Sequence, residues 1–518
     1  MNQTKTGFIP YVKLNEFNIG QVSGENEARS ENFEELFFTG NKKYEELKKP
    51  EKYIIMGRKG TGKTLLAYYF KRKALENNLK SCKISTLKDY QLMRLIHLED
   101  RDFFEEECKA LWKYCILINL AKSILNEKNI AEKLFNPNIR KLNKFISKDN
   151  LVEYKLIELN KTAGHIKKKS RDSKSSAAYS KSTISSTLTG SAGLYKEKNT
   201  TMSEKYVRNE YYNNIEAMES LIFKILNKEE KGYVIIFDDL DELGDNVEKP
   251  QKYRSSILSM ISVVQEFNMK IQDINTYSKI IISIRSDILN SLNEYSSNLR
   301  KIIADNSVDL YWLTKSHSKI TDYLLIDLIL TKIKASVKEY SNIEKEILFN
   351  ALFPKYIFTR KISDFLLDYS MGRPRQIIEY LNIIIKNYPN ENRFTEQHFK
   401  QCLKYFSAEL YKDLQNEFSV YENKEELNDS MRLIKDLRKS GFRYGQIIAH
   451  YNVNKNKYKH IKSVDDSLNY MYLFGVIGTY NKSNRMYSWG YRNDSDDSIN
   501  KDDIIIVNYA LKHKFNIK

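Results

Sequence analysis

Cysteine is nearly absent: four in 518 residues, at positions 82, 108, 115 and 402. They stand far apart or within helical patterns and form no C-x-x-C pair. This excludes a disulfide framework or zinc site and suits buried thiols in a reducing cytoplasm. The seven histidines include no H-E-x-x-H, and no Ser/His/Asp or Cys/His nucleophile arrangement stands out. No run of eighteen apolar residues occurs, so no membrane span is expected. Met1-Asn2-Gln3-Thr4-Lys5-Thr6 carries no apolar signal region. Glycine (18) and proline (7) are also scarce, and no internal repeat is found.

Against that scarcity, three glycines crowd into one short stretch. Ile54-Ile55-Met56-Gly57-Arg58-Lys59-Gly60-Thr61-Gly62-Lys63-Thr64-Leu65 matches G-x-x-x-x-G-K-T without a mismatch. It reads as a strand, a tight turn and a helix start. Glycines let the backbone curl until successive N–H groups converge. The helix N-terminus adds the positive end of its dipole. Lys63 supplies a mobile cation for β- and γ-phosphate oxygens, and the Thr64 hydroxyl can ligate Mg²⁺. Gly57, Arg58, Lys59, Gly60, Thr61, Gly62, Lys63, Thr64 and Leu65 form the expected phosphate-binding set.

The remaining pattern places this loop in a parallel sheet. Strands are expected over Tyr53–Met56, Cys82–Leu87, Gly232–Phe237, Lys279–Arg285 and Val308–Trp312. Between them, helical spacing covers Leu65–Leu75, Phe103–Leu125, Tyr211–Leu226 and Lys252–Glu266. Alternating strands and helices imply an α/β sheet with helices on both faces. Ahead of it, Phe33–Phe38 reads as a short helix. Residues 127–210 break the pattern. They contain the basic run Lys167–Arg171 and a Ser-, Thr- and Lys-rich stretch, Ser173–Ser191, with little to bury, and read as a partly flexible insertion. A helical segment follows, in which Pro374 of Gly372-Arg373-Pro374-Arg375 suits the first turn of a helix. Helices over Leu427–Lys439, Arg443–Tyr451 and Val464–Phe474 and a hairpin over Val476–Tyr491 describe a winged helix. Ile504–Leu511 reads as a short apolar tail packed on it. The expected division is residues 1–50 packing on the core, 51–314 as P-loop core with its insertion, 315–420 as helical lid, and 421–518 as winged helix with tail.

Asp238 ends its strand where open parallel sheets bind ligands, and can hold Mg²⁺. Asp239 could polarise an attacking water, and Asp241 and Glu242 are further acidic candidates. Arg285 ends the next strand, where a cation can sense a γ-phosphate; a salt bridge to the acidic cluster is the alternative. Arg375 heads a lid helix and can reach across to phosphates, with Arg373 as the other possibility.

Gly57–Thr64, Asp238-Asp239, Arg285 and Gly372–Arg375, followed by a winged helix, resemble the AAA+/STAND branch of P-loop ATPases. More closely, Gly57–Thr64, Phe237–Asp241, Ile284–Asp287 and Phe474–Gly478 are similar to a poorly characterised bacterial P-loop ATPase family. The resemblance covers most of the chain outside 127–210. It implies a cytoplasmic ATPase using ATP and Mg²⁺, with Asp238 on the metal, Asp239 as the acid beside it, Arg285 as sensor 1 and Arg375 as sensor 2. These families usually carry glutamate where Asp239 stands, and the shorter carboxylate suits a slow switch. The resemblance also implies a homo-oligomer, and a setting in anti-phage defence with a separate effector protein. No arginine finger stands out; Arg300 is a loose candidate.

The net charge of +17 favours a polyanionic partner, although an AT-rich genome would enrich lysine as well. A DNA-binding ATPase for loading, repair or recombination is therefore the second reading, and a non-hydrolysing nucleotide-dependent scaffold the third. The third helix of the winged domain carries Asp465 and Asp466 and no Lys or Arg, which suits protein contact as well as DNA.

Overall fold

The computed structural model describes residues 9–86, 105–147, 215–240, 250–292, 298–313, 319–418, 421, 423–492 and 498–517. Five parallel strands form one sheet in the order β2-β3-β4-β1-β5: β1 (Ile54–Gly57), β2 (Leu79–Thr86), β3 (Gly232–Asp238), β4 (Lys279–Arg285) and β5 (Ser307–Asp309). All seven residues of β3 and all seven of β4 are buried, as near-continuous apolar runs require when helices cover both faces of a sheet. The α/β fold expected from the sequence is present. β5 is shorter than expected, because the chain beyond Asp309 turns to let Trp312 reach the phosphate loop.

The chain gathers into two compact units. One comprises residues 1–72, 239–250 and 283–518; the other comprises 73–238 and 251–282. In the second unit, helices α3 (Glu105–Glu127) and α4 (Pro250–Gln272) flank β3 and β4. Trp112 of α3 is fully buried; its Nε1 donates to the Ser256 carbonyl at 2.9 Å and its ring meets Phe237 edge-on. Asn268 of α4 pairs with both the N–H and the C=O of Ile280, at 2.8 and 2.9 Å. α4 runs past the expected Lys252–Glu266 at both ends; at its C-terminal end Phe267 and Ile271 continue the buried face. The start of the expected insertion is helical over Ile130–Phe135. Its remainder from 148, including Lys167–Arg171 and Ser173–Ser191, lies outside the described residues, as do Asp241 and Glu242.

The first unit begins with an N-terminal segment that includes α1 (Gly24–Ala28) and a short helix at Phe33–Leu36. The segment lies on α2 (Lys63–Arg72), with Phe37 stacked on Tyr69 at 3.8 Å. Two short helices after β4, α5 (Ser286–Leu292) and α6 (Leu299–Asn306), were not expected. The helical segment comprises α7 (Leu324–Ser336), α8 (Lys345–Leu352), α9 (Ile362–Tyr369), α10 (Pro374–Asn387) and α11 (Glu396–Phe418), with a two-strand ribbon of β6 (Tyr356–Ile357) and β7 (Arg360–Lys361). Pro374 occupies the first turn of α10, where its missing N–H costs nothing.

The last hundred residues contain α12 (Lys424–Leu437), β8 (Gly441–Phe442), α13 (Tyr444–Asn454), α14 (Val464–Leu473), β9 (Ile477–Asn481), β10 (Met486–Ser488) and β11 (Ile504–Val507). Three helices and a hairpin are arranged as a winged helix. The apolar tail is more than a packed end. Its first four residues are β11, a central strand hydrogen-bonded to β9 on one side and β8 on the other. One apolar core runs from Val12 through the helical segment to Ile517.

Candidate functional site

β1 delivers the chain into the glycine turn, and α2 leaves it. Gly62 has φ of +97°, with nothing near the position a Cβ would take, so backbone conformation alone demands glycine there. Gly60, at φ +82°, also faces a close approach: a Cβ there would lie 3.0 Å from the Cβ of Arg375. The turn is held from within. Thr61 Oγ1 donates to the Arg58 carbonyl at 2.8 Å, and Trp312 Nε1 donates to the Thr61 carbonyl at 2.9 Å. Lys63 folds back over the turn, its ammonium donating to the carbonyls of Gly57 (3.1 Å) and Arg58 (3.3 Å). Gly24 of α1 lies against Thr64 and Leu65 at the start of α2.

The helical segment meets the same loop. The backbone N–H of Arg375, in the first turn of α10, donates to the Gly60 carbonyl at 3.2 Å. Arg375 itself is half-buried and stands among carboxylates. Burial, then Asp413 and Glu409, push the Glu379 carboxyl up to about 7, with Arg375 opposing the rise. Gln376 Nε2 donates to Asp413 Oδ2 at 3.0 Å.

The winged domain meets the loop as well. Arg58 Nη2 donates to the carbonyls of Leu473 (3.3 Å) and Phe474 (3.2 Å) at the C-terminal end of α14, and the guanidinium lies over the Tyr491 ring. Helix ends leave such carbonyls without intrahelical partners, and a cation there also suits the dipole. Burial pushes the Arg58 guanidinium down to about 10; Arg373 adds to the fall, and Glu417 and Asp287 oppose it.

Around Arg58 lies a buried network of charge. Arg285 ends β4 at 2% exposure and grips Asp287 with two hydrogen bonds, Nε to Oδ1 at 3.1 Å and Nη2 to Oδ2 at 2.5 Å. Tyr421 Oη donates to the same carboxylate at 2.6 Å. Burial would raise the Asp287 carboxyl, but Arg285, Tyr421 and Arg58 together hold it well below the usual range. Arg373 is fully buried and pairs through both terminal nitrogens with Glu417 of α11. Burial would raise the Glu417 carboxyl as well; Arg373, Arg285 and Arg58 bring it down.

Asp238 ends β3 in the other unit at 2% exposure, and no side-chain partner is found for it among the described residues. Asp239 follows with φ of +57°, a left-handed conformation that aspartate tolerates better than most residues. Taken each in its own unit, the Asp238 carboxylate at the end of β3 and the Thr64 hydroxyl at the start of α2 are hard oxygen donors of the kind Mg²⁺ takes.

Of the residues expected from the sequence, Gly57–Leu65, Arg285, Arg373 and Arg375 lie within one unit; Asp238 belongs to the other. Trp312, Asp287, Glu417, Tyr421 and Tyr491 were not singled out. Asp287 could have been found, two residues beyond Arg285 in Ile284-Arg285-Ser286-Asp287. The others carry no local signal.

Residues 323–415, most of the helical segment, match the family described as the FunZ-associated C-terminal helical domain. No curated protein matches the chain. Among solved structures, the Orc1 protein of Aeropyrum pernix in complex with DNA is similar at 10% identity and a TM-score of 0.34, over 92% of this chain and 91% of that one. Cdc6p of Pyrobaculum aerophilum is similar at 13% identity and a TM-score of 0.29, over 90% and 87% of the two chains. The fold described above stands on this chain's own strand order.

Proposed function

We propose that this chain is a Mg²⁺-dependent ATPase that works as a slow nucleotide-driven switch. The observation that carries the reading is the phosphate loop, a glycine turn at a helix N-terminus with the Lys63 ammonium folded over its own carbonyls at 3.1 and 3.3 Å. A peptide carbonyl is a neutral acceptor for that ammonium. Phosphate oxygens are better acceptors, because the hydrogen bond is then between two charges.

In this reading Gly57–Leu65 bind the phosphates through backbone N–H groups and Lys63. Thr64 and Asp238 would hold Mg²⁺, which when bound neutralises charge on the phosphate oxygens. Asp239 orients the attacking water. Arg285 and Arg375 respond to the γ-phosphate. For Arg285 the response includes a choice, because Asp287 already occupies two of its donors. The contacts of Arg58 with α14, and of Arg375 with Gly60, supply the output: whatever moves the loop moves the points where the winged and helical segments rest on it. ATP over other nucleotides, assembly with further copies, and an effector partner in antiviral defence rest on the family resemblance alone.

The test is nucleotide binding and phosphate release. Wild type should bind ATP and release phosphate in a Mg²⁺-dependent way. Lys63→Ala should lose binding by tenfold or more. Asp239→Asn should bind ATP and release phosphate at least tenfold more slowly. Release that is equal in wild type and both variants, or no ATP binding at millimolar concentration, would sink the reading.

A further inference from the structure

From Leu437 to Val464 the chain carries seven cations (Arg438, Lys439, Arg443, Lys455, Lys457, Lys459, Lys462) and no Asp or Glu. Seven cations in these 28 residues is a higher density than the 84 in 518 of the whole chain, and no carboxylate stands among them to offset their charge. Four of the seven lie in the turn joining α13 to α14. Lys455, Lys457, Lys459 and Lys462 are all exposed, and none is ion-paired among the described residues.

The turn is fixed from beneath. Tyr458 and Ile461 are buried, and Tyr458 Oη donates to Asp436 Oδ2 at 3.1 Å. The Ile461 carbonyl accepts from Tyr451 Oη at 3.2 Å. The His460 N–H donates to Asp429 Oδ2 at 3.1 Å, and the Lys462 N–H to Glu426 Oε1 at 2.9 Å. Three carboxylates of α12 thus hold the turn from its inner side, two of them through its backbone, and the lysines face out. The helix that follows presents no such face. Asp465 in its first turn is occupied by Lys501 and Tyr444, and Asp466 is exposed.

We infer that the α13–α14 turn is a docking surface for the phosphate backbone of duplex DNA, through Lys455, Lys457, Lys459 and Lys462. A duplex holds its phosphates in fixed positions, which four cations on a turn whose backbone is already fixed can meet without first ordering the turn itself. A single strand is bound by stacking its bases on exposed aromatic rings. The aromatic residues of this stretch, Phe442, Tyr444, Tyr451 and Tyr458, offer little for that, since Phe442, Tyr451 and Tyr458 are buried and Tyr444 is committed to Asp465. Contact through phosphates positions the protein and reads no sequence. The inference does not depend on ATP hydrolysis.

The experiment titrates the full chain, without nucleotide, against a fluorescent 20-base-pair DNA of random sequence at several salt concentrations. The variant replaces Lys455, Lys457, Lys459 and Lys462 with alanine. A control replaces Lys338, Lys355, Lys361 and Lys386, exposed lysines elsewhere, and so removes the same charge. Wild type and control should bind with a steep fall of log K against log salt, at about −0.9 per phosphate contacted. The turn variant should bind at least tenfold more weakly with a slope shallower by about 3.6, at an unchanged melting temperature. Equal loss in variant and control, no wild-type binding at 0.1 M salt, or tighter binding to single-stranded DNA or to an acidic protein would each overturn the inference.

Discussion

Arg58 Nη2 lies 3.2 Å from the carbonyl oxygen of Phe474, a hydrogen bond between residues 416 positions apart. One end belongs to the phosphate loop and the other to the last turn of α14. A residue at a variable position of the G-x-x-x-x-G-K-T pattern therefore faces away from the expected phosphates and toward the winged domain. Besides its bond from Trp312, the loop is attached by side-chain contact from Arg58 to α14 and by backbone contact from Gly60 to α10.

Arg58→Ala should release the end of α14. A hydrogen bond to a charged group contributes about 1.5–3 kcal/mol. Amide hydrogen exchange over 464–474 should speed up by tenfold or more, while exchange in β3 and α3 stays as in wild type. Unchanged exchange in α14 would show that Arg58 does not hold it.

Glu417→Gln leaves the fully buried Arg373 with an uncompensated charge. Breaking such a pair on one side costs about 3–5 kcal/mol. Urea unfolding should show that loss. Replacing both residues with methionine should recover most of it, because the cost lies in the unpaired charge.

Glu379 gives a pH dependence of known sign. Its folded carboxyl titrates near 7, above the ordinary value of 4.5. The folded state thus binds this proton more tightly than the unfolded state. Its contribution is fully present below about pH 4.5 and is lost as pH rises through 7. Glu379→Gln should flatten that part of the stability curve and stabilise the protein at pH 8 by about 1–2 kcal/mol, after allowance for partial exposure. Melting temperatures at pH 5.5 and 8 check it.

Gly60→Ala meets two obstacles, the positive φ and the Cβ of Arg375 at 3.0 Å. Left-handed backbone costs alanine about 1–2 kcal/mol, and the docked turn of α10 must shift. ATP affinity should fall at least fivefold, as calorimetric titration would show, and cleavage by a protease near residues 372–376 should quicken.

Much of the core was legible because it is written locally. The runs Tyr233–Phe237 and Ile280–Ile284 announce buried strands without reference to anything else, and the phosphate loop is a contiguous string. The surroundings of the loop are not written that way. Glu417 reads as an ordinary charged helix position until Arg373 is placed beside it, 44 residues away. Ser286–Leu292 and Leu299–Asn306 are too short for periodicity to distinguish from a turn. Ile504–Val507 read as a tail because four apolar residues fit any packed end; what makes them a strand is the open edges of β8 and β9, which only the folded domain supplies.

The placement of β11 bears on how the molecule is made. Among the described residues β8 pairs with β11 alone, so Gly441–Phe442 has no strand partner there until Ile504–Val507 has left the ribosome. A nascent chain can complete its phosphate loop long before that. A product truncated ahead of residue 504 would carry the nucleotide motif on a winged domain whose sheet cannot close, leaving α14 a poor anchor for Arg58. Synthesis past Val507 is thereby built into the link between the phosphate loop and the winged domain.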